Sequence, residues 1–266
     1  MPKHNVMGLY GVPVAALLAT ELVHAQSGGS GLEGVWSTTV MTRQHPAWLI
    51  EDHLCGFVCS PEEYEYLHRL LMDPANDKRS LQQLQQDMRT FGNQRVGKIL
   101  TDAARERLAA VPDRGDTSRL CEPPDLRVAA VASPLPLAIR LHDGNIILHQ
   151  QHWNVVRSIR LANESPTPNG PPSLYGNATA RFEGATLVVE SVNLLPMMTG
   201  ESLTTDQARV TERYTLSEDG SRLDMELTID DPATYREPRV WYQPRIRTPD
   251  VQLVEDDPCA GLREQD

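Results

Sequence analysis

Glu212 is the lone carboxylate in an apolar ladder. Asp219-Gly220 is a two-residue turn of the kind that joins antiparallel strands, and such a turn fixes which residues share a face. Counting outward from it pairs Leu216 with Leu223, Tyr214 with Met225, Glu212 with Leu227 and Val210 with Ile229. The other face carries Thr211, Arg213, Thr215, Arg222, Asp224, Glu226, Thr228 and Asp230 and belongs to solvent. A carboxylate directed into a core must be ion-paired, hydrogen-bonded or neutral, because removal from water penalises its charged form. Two roles meet that demand. In one an arginine or tyrosine holds Glu212 for structural reasons; in the other it is a general acid or base, or anchors a ligand.

His152 is the residue type that would complete the second role. Asp143-Gly144 makes another two-residue turn, so Leu137, Ile139 and Leu141 share a face with Ile146, Leu148, Gln150, His152 and Asn154, provided the return strand runs unbroken from Asn145 to about Leu161. That face begins apolar and turns polar, as where a core gives way to a wetter cavity. An imidazole facing Glu212 across such a cavity would form an acid/base unit working near neutral pH, with Gln150, Asn154 and Tyr214 as binding groups. A further cluster, Arg43, His45, Trp48, Glu51, Asp52 and His53, precedes the helical stretch. Loops at a barrel mouth often carry function, which makes His45 and His53 candidate binding residues. Their spacing matches no metal motif, so no metal is expected. The chain contains no G-x-S-x-G elbow, H-E-x-x-H pair, P-loop or dinucleotide fingerprint, and no cofactor is expected either.

Two periodicities supply the elements that position these residues. From Ser60 to about Ala110 the text is helical: Ser60-Pro61-Glu62-Glu63 reads as an N-cap, a first-turn proline and acidic residues favourable to the helix start. Tyr64, Leu67, Leu70 and Leu71 follow at spacings of three and four until Pro74. A second helix follows Ser80 with Leu81, Leu84, Met88 and Phe91, and a third begins at Thr101-Asp102. From Pro136 onward the period is two, with turns expected at Asp143-Gly144, Glu183-Gly184 and Asp219-Gly220. Adding strands near Val35 to Thr42 and Val240 to Ile246 gives about eight or more, enough to close an antiparallel barrel, with a bent sheet or sandwich as the alternative. The expected organisation is a signal peptide over 1–25, a flexible linker over 26–33, and one β-barrel domain over 34–266 with a helical insertion at about 60–112.

Lys3 and His4 precede an apolar run from Val6 to Val23, and Val23-His24-Ala25 offers a small-x-small cleavage site. Export to the periplasm or medium is therefore expected, with cleavage near Ala25, and no later segment is apolar for long enough to span a bilayer. In an oxidising compartment Cys55, Cys59, Cys121 and Cys259 read as two disulfides. Three pairings are possible, and the spacing of Cys55 and Cys59 suits a local bridge that leaves Cys121 to join Cys259. The charge balance, 25 Lys and Arg against 36 Asp and Glu, argues against nucleic acid as a partner. With 40% hydrophobic residues the chain can bury a core.

Two stretches resemble known groups. Gly34-Val35-Trp36 is similar to the opening of lipocalin-like barrels, in which the tryptophan plugs one end. Phe182-Glu183-Gly184-Ala185-Thr186-Leu187-Val188-Val189-Glu190-Ser191, with Arg157-Ser158-Ile159, Thr205-Asp206, Glu212-Arg213-Tyr214 and Asp231-Pro232, resembles the motif set W-x-G-D-T-L-V-V, R-x-I, E-R-[FY] and D-P of a group of exported bacterial proteins. The likeness covers roughly residues 100 to 259. Phe182 and Ala185 stand where that group has tryptophan and aspartate, and Gln151 where it has an acidic residue.

The function expected from these readings is an exported barrel that binds a small, largely apolar molecule, Trp36 and Tyr214 among its contacts. The alternative is a cofactor-independent lyase, isomerase or cyclase using Glu212 and His152. An interaction module with no small ligand would instead have an interior filled by side chains.

Overall fold

Alternation of period two closes into a barrel of nine strands. The structure is a computed structural model and describes residues 31–38, 54, 58–110, 124–197 and 203–256. The strands are β1 (Gly34–Ser37), β2 (Leu137–His142), β3 (Asn145–Gln150), β4 (Val155–Leu161), β5 (Asn177–Glu183), β6 (Thr186–Val192), β7 (Arg209–Leu216), β8 (Arg222–Asp230) and β9 (Arg239–Arg247). Each pairs with the next, and β9 returns to β1 through Trp36 opposite Arg247. All neighbours are antiparallel except β4 and β5, which meet in a short parallel seam at Arg160 with Thr179 and Leu161 with Ala180. The closed, mainly β architecture is consistent with a lipocalin-like barrel.

The Asp143-Gly144 and Asp219-Gly220 hairpins have the register that their turns dictate: Ile139 faces Leu148, and Glu212 faces Leu227. Two details differ from the sequence reading. The second hairpin closes around Gly184-Ala185, one residue later than expected, because Glu183 pairs with Thr186. The long strand from Asn145 to Leu161 is two strands. After Gln150 the chain makes a 3₁₀ turn at His152–Asn154 and folds back, with Trp153 and Asn154 at φ 57° and 52°.

Each end of the barrel is closed differently. At one, Trp36 is fully buried, its indole N–H donates to the Leu32 carbonyl at 2.9 Å, and the Arg247 guanidinium lies 4.3 Å from the ring centroid. At the other, the segment before β2 enters the mouth as a π-helical turn, Val128–Ala132, with Ala129, Ala130 and Val131 buried. Inward-facing side chains clamp it there: Arg245 donates to the carbonyls of Leu135 and Ser133, each at 2.8 Å, and Gln150 to the Leu135 carbonyl at 2.9 Å.

Three helices lie over this second mouth: α1 (Pro61–Met72), α2 (Leu81–Ile99) and α3 (Asp102–Ala110). Capping boxes start the first two, Ser60 with Glu63 and Ser80 with Gln83, and the Thr101 hydroxyl accepts from the Ala104 N–H to start the third. Leu67 and Leu70 of α1 pack on Leu84 and Met88 of α2 in a small core of their own. Leu81, on the same helical spacing, is instead 42% exposed, because it sits in the first turn of α2. The cap is tied to the barrel at two points. Cys59 and Tyr242 exchange main-chain hydrogen bonds, and the Arg236 N–H donates to the Ile99 carbonyl at 2.7 Å. Cys59 is not a free thiol; Cys55, Cys121 and Cys259 lie outside the described residues.

Candidate functional site

Glu212 points inward, as its turn requires, and is 1% exposed. Arg157 reaches it from β4 and makes a two-pronged pair, Nη1 to Oε1 at 2.7 Å and Nη2 to Oε2 at 2.6 Å. The Tyr214 hydroxyl donates to Oε2 at 2.5 Å. Both carboxylate oxygens are thus committed to donors, which compensates the loss of water around the charge. Burial opposes the charge on Arg157, yet the adjoining Glu212 carboxylate holds its proton more firmly than usual. Burial, and then the charge of Glu212, push the Tyr214 phenol well above its ordinary value. This enclosure is what the structural reading of Glu212 requires, and Glu212 lines neither the cavity at the cap nor the small one beside Leu194. Arg157-Ser158-Ile159 and Glu212-Arg213-Tyr214, picked out separately in the sequence, meet in this cluster.

Asp231, of the Asp231-Pro232 pair, is likewise structural. Buried at the end of β8, it accepts from the N–H of Thr205 at 2.6 Å and from the hydroxyls of Thr205 and Thr234 at 2.9 and 2.8 Å. The carboxylate knots the loop before β7 to the loop after β8, which in turn carries the attachment of the helical cap.

His152 is not brought to Glu212. It lies in the turn after β3, where the strand ends, and its Nδ1 stands 3.5 Å from Asp256 in the C-terminal stretch. Asn154 is also turned away from the interior and hydrogen-bonds His149 at 2.6 Å. The expected acid/base pair fails because the chain reverses at residues 151–154 instead of continuing as a strand. Gln150, the last residue of β3, does face inward and is buried. Its amide nitrogen holds the mouth segment, and its Oε1 is buried without a partner. Trp36 closes the opposite end and lines neither of those two cavities. His45 and His53 lie outside the described residues.

Burial lowers the His152 pKa, and Asp256 offsets this in part. The unfolded chain then binds its proton more tightly, so His152 subtracts stability as pH falls through about 6.5, the ordinary imidazole value. Denaturation midpoints measured at pH 7 and pH 5 should fall more for the wild-type protein than for His152→Gln; equal falls would show that the histidine is not linked to folding.

Open space lies elsewhere. Between the helical cap and the plugged mouth is a cavity of about 720 Å³. Met88, Val96 and Leu100 of the cap, Val128 of the mouth turn and Trp241 of β9 supply its apolar walls; Arg127 and Arg239 add charge. Trp241 and Arg239 are on the inward register of β9, opposite Leu227 and Ile229. The sequence reading missed this site. Its signal was the alternation Arg239, Trp241, Gln243, Arg245, Arg247, which puts five large polar or aromatic side chains on one face of a strand. Arg245 is fully buried and is held by main-chain carbonyls and Gln243, not by a carboxylate. Burial draws its pKa down to about 10, against the pull of Tyr214.

Among the described residues no group of three or more His, Cys, Asp or Glu is placed to hold a metal ion, and no helix is long and apolar enough to cross a membrane. Compared with known protein families and with curated proteins, the chain matches none.

Proposed function

We propose that this protein is an exported binder of a small, largely apolar molecule, and that the molecule is held between the helical cap and the barrel mouth instead of in the barrel centre. The observation that carries this reading is the cavity of about 720 Å³. Its volume lies within the usual span of small-molecule sites, and its walls combine apolar side chains with the polar Gln85, Arg89, Asn93, Arg127 and Arg239. The barrel centre is filled by Glu212, Arg157, Tyr214 and their apolar neighbours, which alone would suit an interaction module; a chamber of this size beside it favours a ligand. Export rests on residues 1–25 read as a signal peptide, and Cys55, Cys59, Cys121 and Cys259 read as two disulfides would fit that destination. Acid/base chemistry by Glu212 and His152 finds no support in where those side chains lie.

Gly97 of α2 lines the cavity, and a Cβ added there meets no atom within 4 Å. Gly97→Trp therefore places an indole in open space at the chamber wall and takes up part of its volume, at a helix position where glycine is a poor former in any case. Native mass spectrometry of the protein purified from its own host should show a bound compound near one per chain on the wild type and clearly less on Gly97→Trp, with the two melting alike. A wild-type mass equal to the bare polypeptide, or a compound retained equally by the variant, would count against the site.

A further inference from the structure

The chamber is graded from one end to the other. Its α2 wall is a single stripe of the helix, Gln85, Arg89, Asn93, Val96 and Leu100, recurring every three or four residues. At a rise of 1.5 Å per residue that stripe is about 22 Å long. Its first half is polar and its second half apolar. Met88, in the polar half, is buried and belongs to the small core of the cap. Val96 and Leu100 instead pack, with Leu108 of α3 and Trp241, as part of the barrel core. The two ends also differ in what lies beyond them. At the apolar end Leu100 is buried and forms a main-chain bridge to Tyr235, which closes the chamber. At the polar end Gln85 and Arg89 also border a second hollow of about 380 Å³, whose other walls are Gln82, Gln83 and Gln86. Arg89 and Asn93 are exposed, and among the described residues neither side chain makes a hydrogen bond or ion pair. Arg127 and Arg239, by contrast, are engaged with the Trp241 ring and with other partners of their own.

We infer that the ligand is a single-chain amphiphile lying along α2, its apolar chain against Val96, Leu100, Leu108 and Trp241 and its oxygen-rich head at Gln85, Arg89 and Asn93. This rests on the small-molecule reading above and deepens it. A chain in the closed half is favoured by the apolar area it removes from water. A head at the open half keeps its water and meets amides, which donate and accept hydrogen bonds, and a guanidinium, which donates them. A wholly polar molecule of the same length would lose its hydration in the apolar half without replacement, and a wholly apolar one would leave the polar half unused.

The test uses protein stripped of any bound compound and three probes. N-phenyl-1-naphthylamine, an apolar dye without a polar head, is titrated by fluorescence; dodecanoate and dodecyl maltoside, each below its micelle concentration, then displace it. Arg89→Ala combined with Asn93→Ala should weaken both amphiphiles roughly tenfold, as for two lost hydrogen bonds, and change the dye by less than about twofold. Both side chains are exposed, so this variant should melt as the wild type does; if it melts lower, each single variant is read instead. Gly97→Trp, which takes up space in the apolar half, should weaken all three probes. A loss for one amphiphile alone supports the assignment and names the head, an acid or a sugar. Unchanged binding of both amphiphiles in the Arg89 and Asn93 variant overturns the amphiphile assignment, while dye binding weakened by Gly97→Trp still keeps the cavity as a site. Binding of none of the three, or binding indifferent to Gly97→Trp, overturns both.

Discussion

Glu212→Gln should destabilise the fold by about 3 to 5 kcal/mol, because it leaves the buried Arg157 charge without its partner. The glutamine has nearly the same shape, so the loss reports charge and not packing. For a domain of this size that corresponds to a melting temperature lower by roughly 6 to 20 °C. Replacing the whole cluster is a different experiment. Arg157→Met, Glu212→Leu and Tyr214→Phe together remove every charge and hydroxyl from the site, whose neighbours Val189, Met225 and Leu227 are apolar and fully buried. The triple variant should recover most of the loss, to within about 1 kcal/mol of the wild type, since a well-packed apolar substitute is often as stable as a buried ion pair. Urea unfolding of both variants checks the pair of expectations. A Glu212→Gln protein as stable as the wild type would mean that Arg157 is not committed to Glu212.

Trp36→Ala should cost about 3 to 5 kcal/mol, the usual range for truncating a buried large aromatic side chain. Trp36 contributes in three ways: its ring fills the closed end, its N–H satisfies the Leu32 carbonyl, and its face receives Arg247. Trp36→Phe keeps an apolar ring but not the N–H, and so should fall between the wild type and Trp36→Ala. Because Trp36 and the cavity are at opposite ends, folded Trp36→Phe should keep the bound compound as the wild type does. Denaturant midpoints and native mass spectra of the two variants read these outcomes, and loss of the bound compound by folded Trp36→Phe would contradict the separation of the two ends.

The strands were legible wherever side chains alternate and a two-residue turn sets the register. Asp219-Gly220 alone places Val210, Glu212, Tyr214, Leu223, Met225 and Leu227 inside. The helical insertion was legible from its caps: Ser60 and Ser80 each stand three residues before a Glu or Gln that completes the box. The reversal at residues 151–154 was not, because it contains neither glycine nor proline; Trp153 and Asn154 themselves take the left-handed conformation, and Asp256, about a hundred residues on, accepts from the Trp153 N–H at 3.1 Å. A local reading cannot supply a partner so distant in sequence.

The site was hidden for a related reason. Register shows that Glu212 is inside, but which arginine meets it depends on how β4 sits in the closed barrel, and Arg157 lies 55 residues away. The cavity draws on α2, the Val128–Ala132 turn and β9, three segments brought together only by closure of the barrel and docking of the cap. The apolar run Val128-Ala129-Ala130-Val131-Ala132 is too short to show a period, although it is what stops up the mouth and leaves the chamber above it.

The most direct test is a crystal structure of the protein purified from its own host. Density for a bound molecule bounded by α2, the Val128–Ala132 turn and Trp241, with Glu212 still enclosed by Arg157 and Tyr214, is the expected result. A molecule in the barrel centre touching Glu212, or a cap collapsed onto Trp241 with no chamber between them, would contradict it.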